Sequence, residues 1–281
     1  MKKKVYVFIF ILMLTGKGWA DCEYVNVTNV NSNQFTVSWT SKIDKKGWVK
    51  FGLNLNNKKN WKIAFDDRGK DIKDDIHHVT ISPLNANTKY YFEIIMDENV
   101  VGEMNSQTTS NVLLSRPPIG SCQPTGLIFK DNNLRESVQD VIVYLTILDD
   151  QSHSEAESLL LTSENNGRWF RELLGIKDQA LNDYFQVKCG ISKLHVFAQA
   201  GNDGTAEMIS ITVDGVDSEQ PVMVLNKSSV ELKHIIIMLQ TLAGISKLDL
   251  LPKSMDKNCN EKVDLEDVLS GLHSISVCHG K

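Results

Sequence analysis

QFTVSWTS, residues 34–41, puts Phe35, Val37 and Trp39 on one face of an extended chain. Side chains alternate across a strand, so this pattern predicts a β-strand; a helix would repeat its apolar residues every three or four positions. Outward from it, WVKFGL (48–53), HHVTIS (77–82) and KYYFEIIM (89–96) are further strands, separated by turns rich in Asn, Lys, Asp and Gly. Many short strands with turn signals between them predict antiparallel sheets packed face to face, a β-sandwich over residues 22–110.

The tryptophan on an early strand and the stretch Leu84-Asn85-Ala86-Asn87-Thr88-Lys89-Tyr90 resemble the fibronectin type III pattern. In that family the tyrosine of the L-x-P-x-T-x-Y stretch forms a tyrosine corner; Ala86 stands here where the family has proline. VKFG (49–52), FDDRG (65–69), HHVTI (77–81) and NTKYYFEI (87–94) are similar to the fibronectin-like domain that precedes the catalytic domain of purple acid phosphatases. The resemblance implies a scaffold, not a reaction.

Residues 111–122, NVLLSRPPIGSC, carry a Pro-Pro pair and little periodicity, and are expected to be a linker. A second β-sandwich is expected over 123–216, from TGLIFK (125–130), VIVYLTIL (141–148), SLLLTS (158–163), GRWFREL (167–173), KLHVFAQA (193–200) and EMISITV (207–213). The order of these strands and the phrase ENNGRWFREL (164–173) resemble a carboxypeptidase-regulatory-like or Cna-B-like sandwich, a module that usually stiffens surface proteins. A short helix is expected within RELLGIKDQALNDYF (171–185).

The ends differ from this β-rich middle. In MKKKVYVFIFILMLTGKGWA three lysines precede an apolar run from Val5 to Leu14, and small residues follow at Gly18 and Ala20. This is the pattern of a secretory signal peptide over 1–20, and its apolar run is too short for a good membrane span. No later segment is apolar and long enough to span, so the mature chain is expected outside the cytoplasm: secreted, at the cell surface, or periplasmic. Export permits disulfides, but Cys22, Cys122, Cys189, Cys259 and Cys278 make an odd number. Cys122 with Cys189 is one candidate pair; connectivity is not set by sequence. A net charge of −5 and no basic stripe argue against a nucleic-acid partner.

Residues 226–281 are expected to be helical. Val230, Ile235, Ile236, Leu239 and Leu242 have helical spacing, with Ser228 or Ser229 as N-cap and Gly244 as stop. VDLEDVLSGLHSI (263–275) can be laid beside VELKHIIIMLQTL (230–242), which makes an internal repeat. The preceding loop, DKNCNEKVDLED (256–267), spaces oxygens as a calcium loop needs them. Asp256, Asn258, Asn260 and Asp267 fall at positions 1, 3, 5 and 12, Lys262 offers a carbonyl at 7, and Asp264 at 9 can act through water. Loop and repeat together resemble a dockerin module, which implies one Ca2+ ion held by those six residues. Asn260 and Glu261 depart from that family's Asp and Gly and weaken the site. In the equivalent first loop, Met223, Leu225, Lys227 and His234 supply no such ligands. The plain alternative is a polar loop whose Asp264 caps a helix.

Little else suggests chemistry. His77 and His78 sit in a strand pattern, and GNDG (201–204) fits a turn better than a metal motif. FDDRG fits an ion-paired surface turn. Ser, His and Asp all occur without a G-x-S-x-G elbow. Trp48 and Trp169 are expected in cores; Trp61, in NNKKNWK, is the best candidate for an exposed sugar-stacking ring. The chain is therefore expected to be mainly β, two tandem antiparallel sandwiches followed by a small helical module. Its expected role is that of a non-catalytic surface protein for adhesion or assembly, with a protein or glycan partner. The alternatives are an accessory part of a secreted phosphatase or polysaccharide-degrading system, and a carbohydrate-binding protein.

Overall fold

The computed structural model describes residues 22–120, 122–130, 138–149, 152–188, 190–211 and 222–225. The expected signal peptide over 1–20, the expected helical pair and all six candidate calcium ligands lie outside the described residues. What is described is mainly β, and no helix within it is long and apolar enough to cross a membrane.

The first half contains β1 (Cys22–Thr28), β2 (Phe35–Gly52), β3 (Lys62–Phe65), β4 (Lys73–Ile81), β5 (Lys89–Met96) and β6 (Asn99–Thr108). The long strand β2 serves both layers. Its first part pairs with β1 and β4, and its second part, from Gly47, pairs with β3 and β5. The pairing with β4 shifts register between Thr40 and Lys45, where the strand passes between layers and Lys42, Ile43 and Asp44 are exposed. Between the layers Phe35, Val37, Trp39, Val79 and Ile81 meet Val49, Phe51, Phe92 and Ile94. Each such side chain contributes about 1.5–3 kcal/mol by leaving water. The Tyr90 hydroxyl accepts the Asn85 N–H at 3.0 Å. This is the tyrosine corner implied by the fibronectin resemblance, and Ala86 in the proline position does not prevent it.

The second half contains β7 (Thr125–Phe129), β8 (Val141–Leu148), β9 (Glu157–Leu161), β10 (Arg168–Phe170), β11 (Lys193–Gln199), β12 (Thr205–Ile211) and β13 (Met223–Val224). They form a sheet of order β10-β7-β13 and a sheet of order β12-β11-β8-β9. Val141, Val143, Leu145 and Ile147 from one sheet pack on Ile128, Trp169 and Met223 from the other. Strand β13 lies beyond residue 216. It pairs in parallel with β7 and adds Met223 and Leu225 to the core, where the sequence suggested a ligand-free loop. Trp169 is enclosed as expected, whereas Trp48 is only half-buried. Cys122 is buried in this core; Cys189 lies outside the described residues.

The helix expected within 171–185 is absent. Leu181 takes φ 61°, and isolated bridges join Ser154 to Asp178 and Lys177 to Tyr184. Leu173, Leu174, Ile176 and Phe185 reach the core from turns, because burying these four outweighs helix propensity.

The two halves share a face. Ile76 of β4 packs with Ile142 and Tyr144 of β8, and Leu160 and Phe197 flank the cluster. The four sheet layers therefore stack, with the β1–β2–β4 layer against the outer face of the β12-β11-β8-β9 sheet. Strand β8 is consequently buried on both sides.

Candidate functional site: the seam between the sandwiches

Alternation along β2 and β4 sends one set of side chains into the first core and the other set outward. In an isolated sandwich the outward set, Thr36, Ser38, Thr40 and His78, would face water. All four are buried here, at 0%, 0%, 3% and 5% exposure. Buried polar groups must find partners. The Ser38 hydroxyl is 2.8 Å from the Tyr144 hydroxyl, whose pKa burial pushes up to about 12 although the Ser38 hydrogen bond opposes it.

At the centre stands Ser158 on β9. Its Oγ lies 2.9 Å from His78 Nε2, and His78 Nδ1 lies 2.7 Å from Asp67 Oδ2. Thr80 fixes Asp67 by donating its N–H at 2.9 Å and its hydroxyl at 2.8 Å. A carboxylate only accepts, so His78 donates through Nδ1; with the ring neutral, Nε2 accepts the hydrogen bond of the Ser158 hydroxyl. This is the connectivity of a serine–histidine–aspartate relay. The surroundings differ from those of a nucleophile. Ser158 is 3% exposed, and its Oγ also meets Thr28 Oγ1 at 2.6 Å and Asn29 Nδ2 at 3.2 Å. One donation and two acceptances saturate a hydroxyl.

Asn29 extends the clamp. Its side chain accepts the Ser158 N–H at 2.9 Å and donates to the Ser158 carbonyl at 3.0 Å, as a neighbouring strand would. Its backbone has φ 55°, a conformation asparagine tolerates better than most residues. An edge of the second half's sheet is thereby covered. Beside it, Glu155 Oε1 accepts the Val30 N–H, and Lys177 Nζ donates to the Val30 carbonyl and to Ser110 Oγ, both at 3.0 Å. Burial pushes the Glu155 carboxyl up to about 8; Glu157 adds to this, while the Val30 N–H and Lys177 oppose it. Burial also lowers the Lys177 pKa.

A second cluster centres on Arg68. Its Nε and Nη2 grip Asp66 at 2.9 and 3.1 Å, Nη2 reaches the Ile76 carbonyl at 2.6 Å, and Nη1 pairs with Asp74 and, across the seam, with Asp140 at 3.2 Å. Burial alone would raise the Asp66 carboxyl, but the His77 ring 3.4 Å away and the hydrogen bonds and charge of Arg68 hold it well below the usual range. FDDRG is thus an ion-paired surface turn as expected, but with its Asp66–Arg68 pair buried. His77 points the other way from His78, stacked on Trp39 at 4.8 Å, so the adjacent histidines cannot ligate one ion.

GNDG is a turn, a single 3-10 turn at Gly201–Asp203, and the Asn202 N–H donates to Asp75 Oδ2 at 2.6 Å. A Cβ on Gly201 would lie 2.3 Å from Asp75 Oδ1, so this glycine is required at the seam. Asp44, Asp74 and Asp75 place carboxylate oxygens within 4.8 Å of one another. Asp74 is engaged with Arg68 and Asp75 with Asn202, so their charges are directed at the protein itself. Burial pushes the Asp75 carboxyl up to about 6, with Asp74 and Asp44 adding to it and the Asn202 N–H opposing.

Sequence reading missed the seam. Its one signal was VIVYLTIL, a continuous apolar run of the kind found in strands buried on both faces.

Among known proteins, the model of the purple acid phosphatase N-terminal domain matches residues 23–111. No curated protein matches the chain. Solved structures are similar to this chain at low identity and low TM-score. The sensor domain of the anti-sigma factor RsgI4 from Pseudobacteroides cellulosolvens is 17% identical over 34% of this chain and 94% of that one, with TM-score 0.27. The FN1–FN3 domains of chicken CNTN1 are 12% identical over 73% and 66%, with TM-score 0.25. The Yersinia pseudotuberculosis adhesin InvE is 10% identical over 71% and 62%, with TM-score 0.23. Topology, tyrosine corner and family match agree that the first half is a fibronectin-like β-sandwich.

Proposed function

We propose that this chain is a secreted, non-catalytic surface protein for adhesion or assembly. Its two sandwiches act as one stiff spacer, and its C-terminal segment is a calcium-stabilised docking module. The observation that carries the reading is the burial of Thr36, Ser38, Thr40, Ile76 and His78, outward side chains of β2 and β4, at the seam with the second half. A flexible tandem would leave Thr36, Ser38 and His78 hydrated; here they are spent on orientation. The relay-like trio supports the same reading, because a nucleophile must reach its substrate and the Ser158 hydroxyl is enclosed and saturated. Calcium would be held by Asp256, Asn258, Asn260, Lys262 through its carbonyl, Asp264 and Asp267.

The second reading is an accessory part of a secreted phosphatase or polysaccharide-degrading system, favoured by the match to the phosphatase N-terminal domain. One experiment separates them. The exported protein is incubated with phosphate esters and polysaccharides, and separately with a fluorophosphonate probe. Absence of turnover and of labelling is expected; turnover, or a probe adduct on Ser158, would overturn the non-catalytic reading.

A further inference from the structure

The hairpin between β2 and β3 builds a pocket on the first sandwich together with the turn before β5. It encloses about 330 Å³. Trp61 forms one wall, and Pro83, Leu84 and Tyr90 contribute apolar surface. Asn57, Asn60 and Asn85 also line it, and their side-chain amides make no hydrogen bond among the described residues. Lys62 is the one charged lining residue, and no carboxylate lines the pocket.

The tryptophan is held in place before any ligand arrives. Its Nε1 donates to the Asn54 carbonyl at 2.9 Å. Its ring lies so close to Gly52 that a Cβ there would come within 2.4 Å of Cδ1. Lys58 Nζ sits 5.5 Å from the ring centroid and is anchored to Glu93 at 2.5 Å. A fixed ring loses little freedom on binding. The same hairpin leaves Leu53, Leu55 and Ile63 exposed at 55%, 41% and 47%, a local apolar excess that marks a contact surface.

From this pocket we infer that the chain binds a neutral saccharide at Trp61. A sugar ring offers a flat C–H face and a rim of hydroxyls that both donate and accept. An indole wall suits the first. Primary amides, which carry an acceptor oxygen and two donors each, suit the second. A phosphate or sulfate ligand would call for clustered cations, and the lining supplies only Lys62. The inference rests on the non-catalytic binding role proposed above and gives it a ligand class.

The test is an array of neutral and anionic oligosaccharides probed with the exported chain, then calorimetric titration of the best neutral binder. Trp61→Ala and the double variant Asn57→Ala/Asn60→Ala are each expected to weaken binding about tenfold or more, with melting temperature unchanged. If Trp61→Ala melts early, the double variant on the exposed loop decides. No neutral glycan retained, retention of anionic glycans alone, or unchanged affinity in the variants would overturn the inference. The same samples are assayed for new reducing ends. Cleaved glycan counts against the non-catalytic role, whereas glycan neither bound nor cleaved counts against the pocket alone.

Discussion

Replacing Glu155 with glutamine isolates the electrostatic cost of closing the seam. The carboxyl accepts the Val30 N–H, and burial pushes its pKa up to about 8 from an ordinary 4.5. Between those two pH values the folded chain holds a proton that the unfolded chain has lost. The unfolded state binds fewer protons there, so stability falls as pH rises through the window. Below 4.5 both states are protonated and the cost vanishes. At about 1.4 kcal/mol per tenfold change in proton affinity, the full cost above pH 8 is about 4–5 kcal/mol. Water at the partly exposed edge of Glu155 trims this to about 3. Glutamine keeps the accepting oxygen and never ionises. Glu155→Gln should therefore lie within about 1 kcal/mol of the wild type near pH 5 and exceed it by about 3 kcal/mol at pH 9. The charges of Glu157, which adds to the rise, and of Lys177, which opposes it, are already contained in the Glu155 shift. Asp75, which burial pushes up to about 6, leaves the variant a residual downward slope between about pH 4 and 6. Urea unfolding followed by tryptophan fluorescence at pH 5, 7 and 9 measures this. Parallel stability profiles for the two proteins, or a variant weaker at pH 9, would refute the reasoning.

Ser158→Ala leaves Thr28 and His78 each short of a partner inside the seam, while the Asn29 amide keeps the carbonyl at position 158 and the Thr36 hydroxyl, and should cost about 2–4 kcal/mol in urea unfolding. A change below 0.5 kcal/mol would mean that the seam opens to water in solution. In Gly47→Ala, the new Cβ would lie 2.6 Å from His77 Nδ1, and His77 is wedged on Trp39 at 0% exposure. A loss of about 1–3 kcal/mol is expected from overpacking, visible as a lower melting temperature. For the C-terminal segment, a calcium chelator should lower the melting temperature of the wild type but not that of Asp256→Ala; equal melting of the wild type with and without calcium would exclude the site.

Period-two alternation in QFTVSWTS and KYYFEIIM, with turn residues between, determined the strands of the first sandwich, because a half-buried strand must place its apolar residues at every second position. Tyr90 and the stretch before it carried the tyrosine corner. Short or polar strands such as β3 and β6 were not legible, since their side chains are largely exposed and leave no apolar pattern. The tertiary structure alone decided the seam. Thr36, Ser38, Thr40 and His78 have the polarity of a solvent face, and only the approach of β8 and β9 turns that face inward. The physical reason is that alternation reports which side of a strand faces its own core. It carries no information about what covers the other side, which depends on hydrogen bonds between residues more than a hundred positions apart, such as Ser38 with Tyr144 at a separation of 106.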